Sequence, residues 1–118
     1  MPSSMIKMLP AAAGNEVEMN IRKSVENNVL TIGLEGRLDT MTAPELENEI
    51  RNSAEGVAGI VLDFTDLAYI SSAGLRVLLS TQKRMNASGG SLVIRHPNEV
   101  VAEVFEATGF SDILEIEA

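Results

Sequence analysis

From Val17 onward apolar and polar residues take turns along the chain. Val17, Met19 and Ile21 alternate with Glu18, Asn20 and Arg22, the period-2 signature of a strand with one buried face. Glu26-Asn27-Asn28 reads as a turn, after which Leu30, Ile32 and Leu34 alternate with Thr31, Gly33 and Glu35 and predict a second strand returning antiparallel to the first. Gly36 through Met41 reads as a loop. Thr42-Ala43-Pro44-Glu45 then has capping-box spacing: a hydroxyl for an orphan amide, a glutamate one turn on, and proline where a missing N–H does no harm. A helix is predicted from here, with Ala43, Leu46, Ile50 and Ala54 on one face, Glu45, Glu47, Glu49 and Arg51 on the other, and Gly56 as its stop.

The run Gly59-Ile60-Val61-Leu62-Asp63-Phe64 is nearly continuous in apolar residues, which predicts a central strand covered on both faces. After Ser71-Ser72, Leu75, Leu78, Leu79, Gln82 and Met85 recur at helical spacing until Asn86 and Ser88-Gly89-Gly90. Leu92-Val93-Ile94 predicts another short buried strand. His96-Pro97-Asn98-Glu99 opens a third helix, with Asn98 as its cap, Val101, Val104, Phe105 and Thr108 on one face and Gly109 as its close. Ile113-Leu114-Glu115-Ile116 reads as a last strand. The order is β-β-α-β-α-β-α-β, and helices between buried strands imply crossovers, hence an α/β single domain with a mostly parallel central sheet and an antiparallel N-terminal strand. No repeat or low-complexity tract marks an internal boundary. Residues 1–16 read as a flexible leader and 17–118 as the domain.

Composition narrows the chemistry. The 118 residues hold 9 basic and 17 acidic side chains, a formal charge of −8, which repels phosphate backbones and anionic lipid headgroups and favours basic protein surfaces as partners. With no cysteine and one histidine, His96, the chain has no thiolate for disulfides, zinc or nucleophilic attack and little for histidine chemistry. In residues 1–16 a short apolar run ends in Ala11, Ala12 and Ala13, but Lys7 and Pro10 interrupt it and leave no signal-peptide core. No long apolar segment encodes a membrane span. A cytoplasmic protein without membrane insertion is expected.

Loops at the carboxyl ends of parallel strands share one edge of the sheet, so Asp39, Asp63, Asp66 and Ser71-Ser72 are expected as neighbours. Ser71-Ser72 lies where a helix begins, beside unsatisfied amides and the positive end of the helix dipole. One serine there has a plain role as N-cap. The other reading is a phosphoacceptor, because a phosphate adds about −1.5 to −2 charge and would recode that edge without unfolding the domain.

The stretch Asp63-Phe64-Thr65-Asp66-Leu67-Ala68-Tyr69-Ile70-Ser71-Ser72-Ala73-Gly74-Leu75-Arg76-Val77-Leu78-Leu79 resembles the signature of the STAS domain of bacterial anti-sigma factor antagonists. Gly36-Arg37-Leu38-Asp39 followed by Thr42-Ala43 resembles the Gly-x-Leu-Asp loop of the same family. The resemblance spans residues 17 to 118 and includes the element order. It implies a partner-switching regulator of transcription: an antagonist that binds an anti-sigma factor with serine kinase activity, is released when phosphorylated, and is reset by a serine phosphatase. The family's acceptor stands two residues before the motif glycine, here Gly74, which carries the role to Ser72. Ser71 stands where some members have Asp and is a possible second site, Ala73 where some have Ser or Thr, and Asp39 matches the acid beside the acceptor. Gly74 permits close approach in the first helical turn. Arg76, Lys83 and Arg84 on the second helix face no acid between residues 72 and 86, whereas residues 99–118 carry six acids and no base, an asymmetry able to orient a partner. Both stretches also read as ordinary solvated faces.

Other chemistries fit less well. Ser72 has only His96 as a base and lacks the Gly-x-Ser-x-Gly elbow of a hydrolase. No phosphate-binding glycine motif is present, and Asp39, Asp63 and Asp66 lack the spacing of a cation loop. The four aromatic residues Phe64, Tyr69, Phe105 and Phe110 form no basic, aromatic-lined groove for nucleic acid. The expectation is therefore a non-enzymatic binding protein with no cofactor and no metal, switched at Ser72 with Asp39, Ser71, Gly74 and Arg76 around it. The alternative is a structural STAS subunit of a larger lipid-transport or stress-signalling assembly with no phospho-switch.

Overall fold

The computed structural model describes residues 19–117. The expected leader 1–16, together with Val17 of the predicted first strand, lies outside the described residues. The elements are β1 (Met19–Glu26), β2 (Val29–Leu38), α1 (Ala43–Ser53), β3 (Gly59–Ile70), α2 (Ser72–Ala87), β4 (Ser91–Arg95), α3 (Glu99–Thr108), a 3₁₀ turn (Phe110–Asp112) and β5 (Glu115–Glu117). This is the α/β order read from the sequence. Asn27 and Asn28 make the β1–β2 turn with φ of 52° and 65°, the left-handed pair that a two-residue hairpin requires and asparagine tolerates.

The five strands lie side by side in chain order, β1 antiparallel to β2 and every later pair parallel. With that order, right-handed crossovers carry all three helices to the same face of the sheet. That face is the core. Leu30, Ile32 and Leu34 of β2, Ile60, Leu62 and Phe64 of β3, and Leu92 and Ile94 of β4 meet Leu46 and Ile50 of α1, Leu75, Leu78 and Met85 of α2, and Val101 and Phe105 of α3 in one cluster. The rings of Phe64 and Phe105 stand 6.3 Å apart within it.

Among the described residues no element covers the other face, in contrast to the expectation of strands covered on both sides. Arg22, Gly33, Asp63, Arg95 and Glu117 line up across the five strands there, and Val61 and Val93 are only half-buried on it. A continuous apolar run thus arose from a buried face plus valines shielded by their neighbours.

β3 is also longer than its alternation indicates. Its register with β2 slips twice, between Gly33↔Asp63 and Glu35↔Asp66 and again between Gly36↔Leu67 and Arg37↔Tyr69, each time with one extra residue on β3. Each bulge resets which residues point inward, so the buried series continues as Phe64, Leu67 and Ile70 rather than every second residue. The segment expected to be a loop after Phe64 is therefore strand. β2 likewise runs through Leu38, past the expected loop start at Gly36.

The helix boundaries follow the caps, with one exception. Asn98 Oδ1 accepts from Val101 N at 2.8 Å and Gly109 closes α3 at φ 82°. At α1 the Thr42 half of the predicted capping box does not form, because Thr42 makes no side-chain cap hydrogen bond. Its hydroxyl instead donates to Arg37 O at 2.8 Å and accepts from Asp39 N at 2.9 Å, so it ties the end of β2 to the loop in place of capping the helix. The helix ends at Ser53 with Ala54 as its C-cap, before Gly56.

Candidate functional site

The carboxyl ends of β2 and β3 finish together. Leu38 pairs with Ile70, and Ser71 N donates to Leu38 O at 2.9 Å, so the chain leaves β2 into the 39–42 loop at the place where it leaves β3 into α2. Asp39 and Ser71-Ser72 are thereby brought to one edge, as expected. Asp63 and Asp66 are not: both lie inside β3, and at about 3.3 Å per residue Asp63 sits on the order of 25 Å along the strand from Ser71. Asp63 is spent within the sheet, accepting from the Thr65 hydroxyl at 2.6 Å, while Asp66 faces Arg22 at 3.8 Å.

Ser71 is the N-cap of α2. Its backbone is extended and its Oγ accepts from Gly74 N at 3.4 Å. Ser72 is the first helical residue, exposed, and its hydroxyl has no hydrogen-bond partner among the described residues. Of the two serines, Ser71 takes the N-cap role, and Ser72 stands free at the positive end of the dipole. Gly74 explains how the helix seats so close to the strands. A Cβ there would lie 2.8 Å from Ile70 Cγ1 and 2.8 Å from Leu38 Cγ, both in the core.

The 39–42 loop is built on Asp39. Its Oδ1 accepts from Met41 N at 3.0 Å and Thr42 N at 3.2 Å, while Arg37 Nε lies 3.6 Å from Oδ2 and the Arg37 guanidinium sits 4.5 Å from the centre of the Tyr69 ring. Burial pushes the Asp39 carboxyl upward, but the amides of Thr42 and Met41, the Thr42 hydroxyl and Arg37 together outweigh it and hold the group below the ordinary aspartate range. A depressed native pKa supplies stability above the unfolded value of about 3.9, lost as pH falls through the lower native one. Amide resonances of Met41 and Thr42 are accordingly expected to shift with a midpoint below about 3.9 as acid is added; a midpoint at or above that value would mean that the carboxylate does not organise the loop.

Asp39 aims Met41 outward, and its side chain is 81% exposed. Beside it a groove of about 370 Å³ runs between α1 and α2, lined by Thr40, Ala43, Pro44, Ala73, Arg76 and Val77 among others. Arg76 is exposed one helical turn beyond Ser72. The residues read from the sequence, Ser72, Asp39 and Arg76, lie at this edge together with Met41, which the sequence reading passed over because its only signal was a large apolar residue inside a loop. That reading also passed over the contact between Arg37 and Tyr69, which depends on the bulged register. Among the described residues no helix is long and apolar enough to cross a membrane.

An α/β domain with one helical layer and a free serine tipping its second helix now has a family. The chain belongs to the STAS domain family, whose model matches residues 20–118. It is 32% identical over 102 residues to an anti-sigma-B factor antagonist of Bacillus subtilis (strain 168), covering 85% of this chain and 94% of that one. Among solved structures, an anti-sigma factor antagonist from Mycobacterium paratuberculosis superposes with a TM-score of 0.76 at 20% identity, covering 85% of this chain and 86% of that one. The Bacillus cell fate determinant SpoIIAA in its phosphorylated form superposes with a TM-score of 0.66 at 20% identity, covering 86% and 91%. At these identities the two structures share the fold.

Proposed function

We propose that this protein is an anti-sigma factor antagonist that binds an anti-sigma factor with serine kinase activity, is released by phosphorylation of Ser72, and is reset by a serine phosphatase. The observation that carries the reading is the free, exposed Ser72 hydroxyl at the N-terminus of α2 beside the ordered 39–42 loop. The 32% identity to an anti-sigma-B factor antagonist supports the partner class.

In this reading the docking surface is the edge around Ser72: Met41 as an apolar knob, the α1–α2 groove beside it, and Arg76 as a charged contact. Asp39 and Ser71 position the acceptor, the first by ordering the loop and the second by capping the helix. A phosphate on Ser72 is tolerated by the helix dipole but places two negative charges in the middle of the interface, where an unmatched charge raises the dissociation rate. Protein interfaces concentrate their energy in a few central apolar anchors. Met41→Glu is therefore expected to weaken binding to the cognate anti-sigma factor by about tenfold or more, read by calorimetric titration, with the fold intact because Met41 is 81% exposed. Unchanged affinity would remove this edge from the interface.

A further inference from the structure

Ser72 and Arg76 stand one turn apart on α2, about 6 Å along its axis. Both are exposed, and among the described residues neither side chain makes a hydrogen bond or an ion pair. Helical side chains lean toward the N-terminus, so the Arg76 guanidinium is carried back over the turn that begins with Ser72. An acid four residues before a base is also the favourable order for a pair on one helix.

No other charge at this edge is placed to compete. Glu47 of α1 lines the same groove as Arg76, but its carboxylate lies 3.4 Å from the Arg51 guanidinium on its own helix. Asp39 is engaged by Arg37 and by the amides of Met41 and Thr42. α2 itself supplies no acid between residues 72 and 86. Its other cations, Lys83 and Arg84, lie roughly 16 Å or more along the axis from Ser72, so spacing singles out Arg76. A phosphoryl group presents three oxygens, and the planar guanidinium fork matches two of them at once.

We propose that Arg76 is an intramolecular clasp for the phosphorylated state: its guanidinium folds back one turn and forms a bidentate ion pair with a phosphoryl group on Ser72. The inference rests on the Ser72 switch and specifies how it acts. Before phosphorylation the edge offers a partner a neutral hydroxyl and a free cation. Afterwards the cation is occupied within the chain and the pair carries net negative charge, so a partner carboxylate facing Arg76 loses its counterpart and meets repulsion. One added group thus makes two changes at the docking surface.

The test uses the full chain with phosphoserine installed at position 72 during translation, so that no kinase is needed. The Arg76 Nε–H resonance is expected to move downfield on phosphorylation and to return as the phosphate takes up a proton at about pH 6 or below, while those of Arg51 and Arg84 stay in place. Pairing favours the dianion and so lowers its protonation midpoint. The helix dipole acts in the same sense, whereas Asp39, with Arg37 beside it, and Glu47 across the groove bear on the midpoint as well; all persist when only Arg76 is changed. Phosphorus resonance titration is expected to place the midpoint about half a unit higher in Arg76→Gln than in wild type. Arg76→Lys, which keeps the charge and loses the fork, should fall between them. Equal midpoints in wild type and Arg76→Gln, or a shift at another arginine in place of Arg76, would overturn the clasp and leave the switch standing. A cognate kinase that does not modify Ser72 would remove the switch without altering either resonance.

Discussion

Ser72→Asp is expected to bind the cognate anti-sigma factor about 10- to 100-fold more weakly than wild type, while Ser72→Ala binds as tightly as wild type. The two substitutions also differ in stability, in the opposite direction to a loss of fold. Ser72 is the first residue of α2 and its hydroxyl bonds to nothing among the described residues, so alanine removes no contact. Aspartate adds a negative charge where the dipole is positive, which favours the folded state by about 0.3–1 kcal/mol, with Asp39 reducing that gain. A variant that binds less well yet melts no lower is the mark of an electrostatic switch. If Ser72→Asp lost binding only in step with a falling melting temperature, the effect would be one of folding and the switch would lose its support.

Gly74→Val carries the largest expected cost in stability. Alanine at this helical position gains up to about 1 kcal/mol in propensity over glycine. Against that, its Cβ falls 2.8 Å from Ile70 Cγ1 and Leu38 Cγ, which are 1% and 0% exposed and have no open space to retreat into. Overpacking costs about 1–3 kcal/mol, so Gly74→Ala is expected to be mildly destabilising and Gly74→Val, with two further methyls, to lose about 3 kcal/mol or more. For a domain of this size each kcal/mol corresponds to roughly 4–8 °C, which places the Val variant well over 10 °C below wild type in a melting experiment. The same displacement lifts the start of α2 off the ends of β2 and β3, moving Ser72 relative to Asp39. A Val variant that melts like wild type would show that the helix does not seat through this glycine.

Much of the architecture was legible because local chemistry and tertiary environment agreed. The Asn27-Asn28 hairpin, the Asn98 cap and the Gly109 stop each use residues whose conformational needs match their place. Where they disagreed, the sequence misled. Thr42 and Glu45 have capping-box spacing, but the end of β2 and the loop after it offered the Thr42 hydroxyl a carbonyl and an amide, and its cap to the helix gave way. The two bulges of β3 hid six residues of strand, and with them the fact that Asp63 and Asp66 stand away from the serine edge. That all helices of the described residues lie on one side of the sheet was concealed by Val61 and Val93, half-buried apolar residues on the other side. At the site, Ser72, Asp39 and Gly74 were visible as a motif, whereas Met41 acquires its position only from the Asp39 turn that aims it outward.

The central claim, that Ser72 is the switch, is tested most directly by incubating the full chain with ATP and its cognate serine kinase and mapping phosphate by intact mass and peptide analysis. One phosphate is expected on wild type and on Ser71→Ala, none on Ser72→Ala. Phosphate retained by Ser72→Ala, or none incorporated into wild type by a kinase that binds it, would contradict the account.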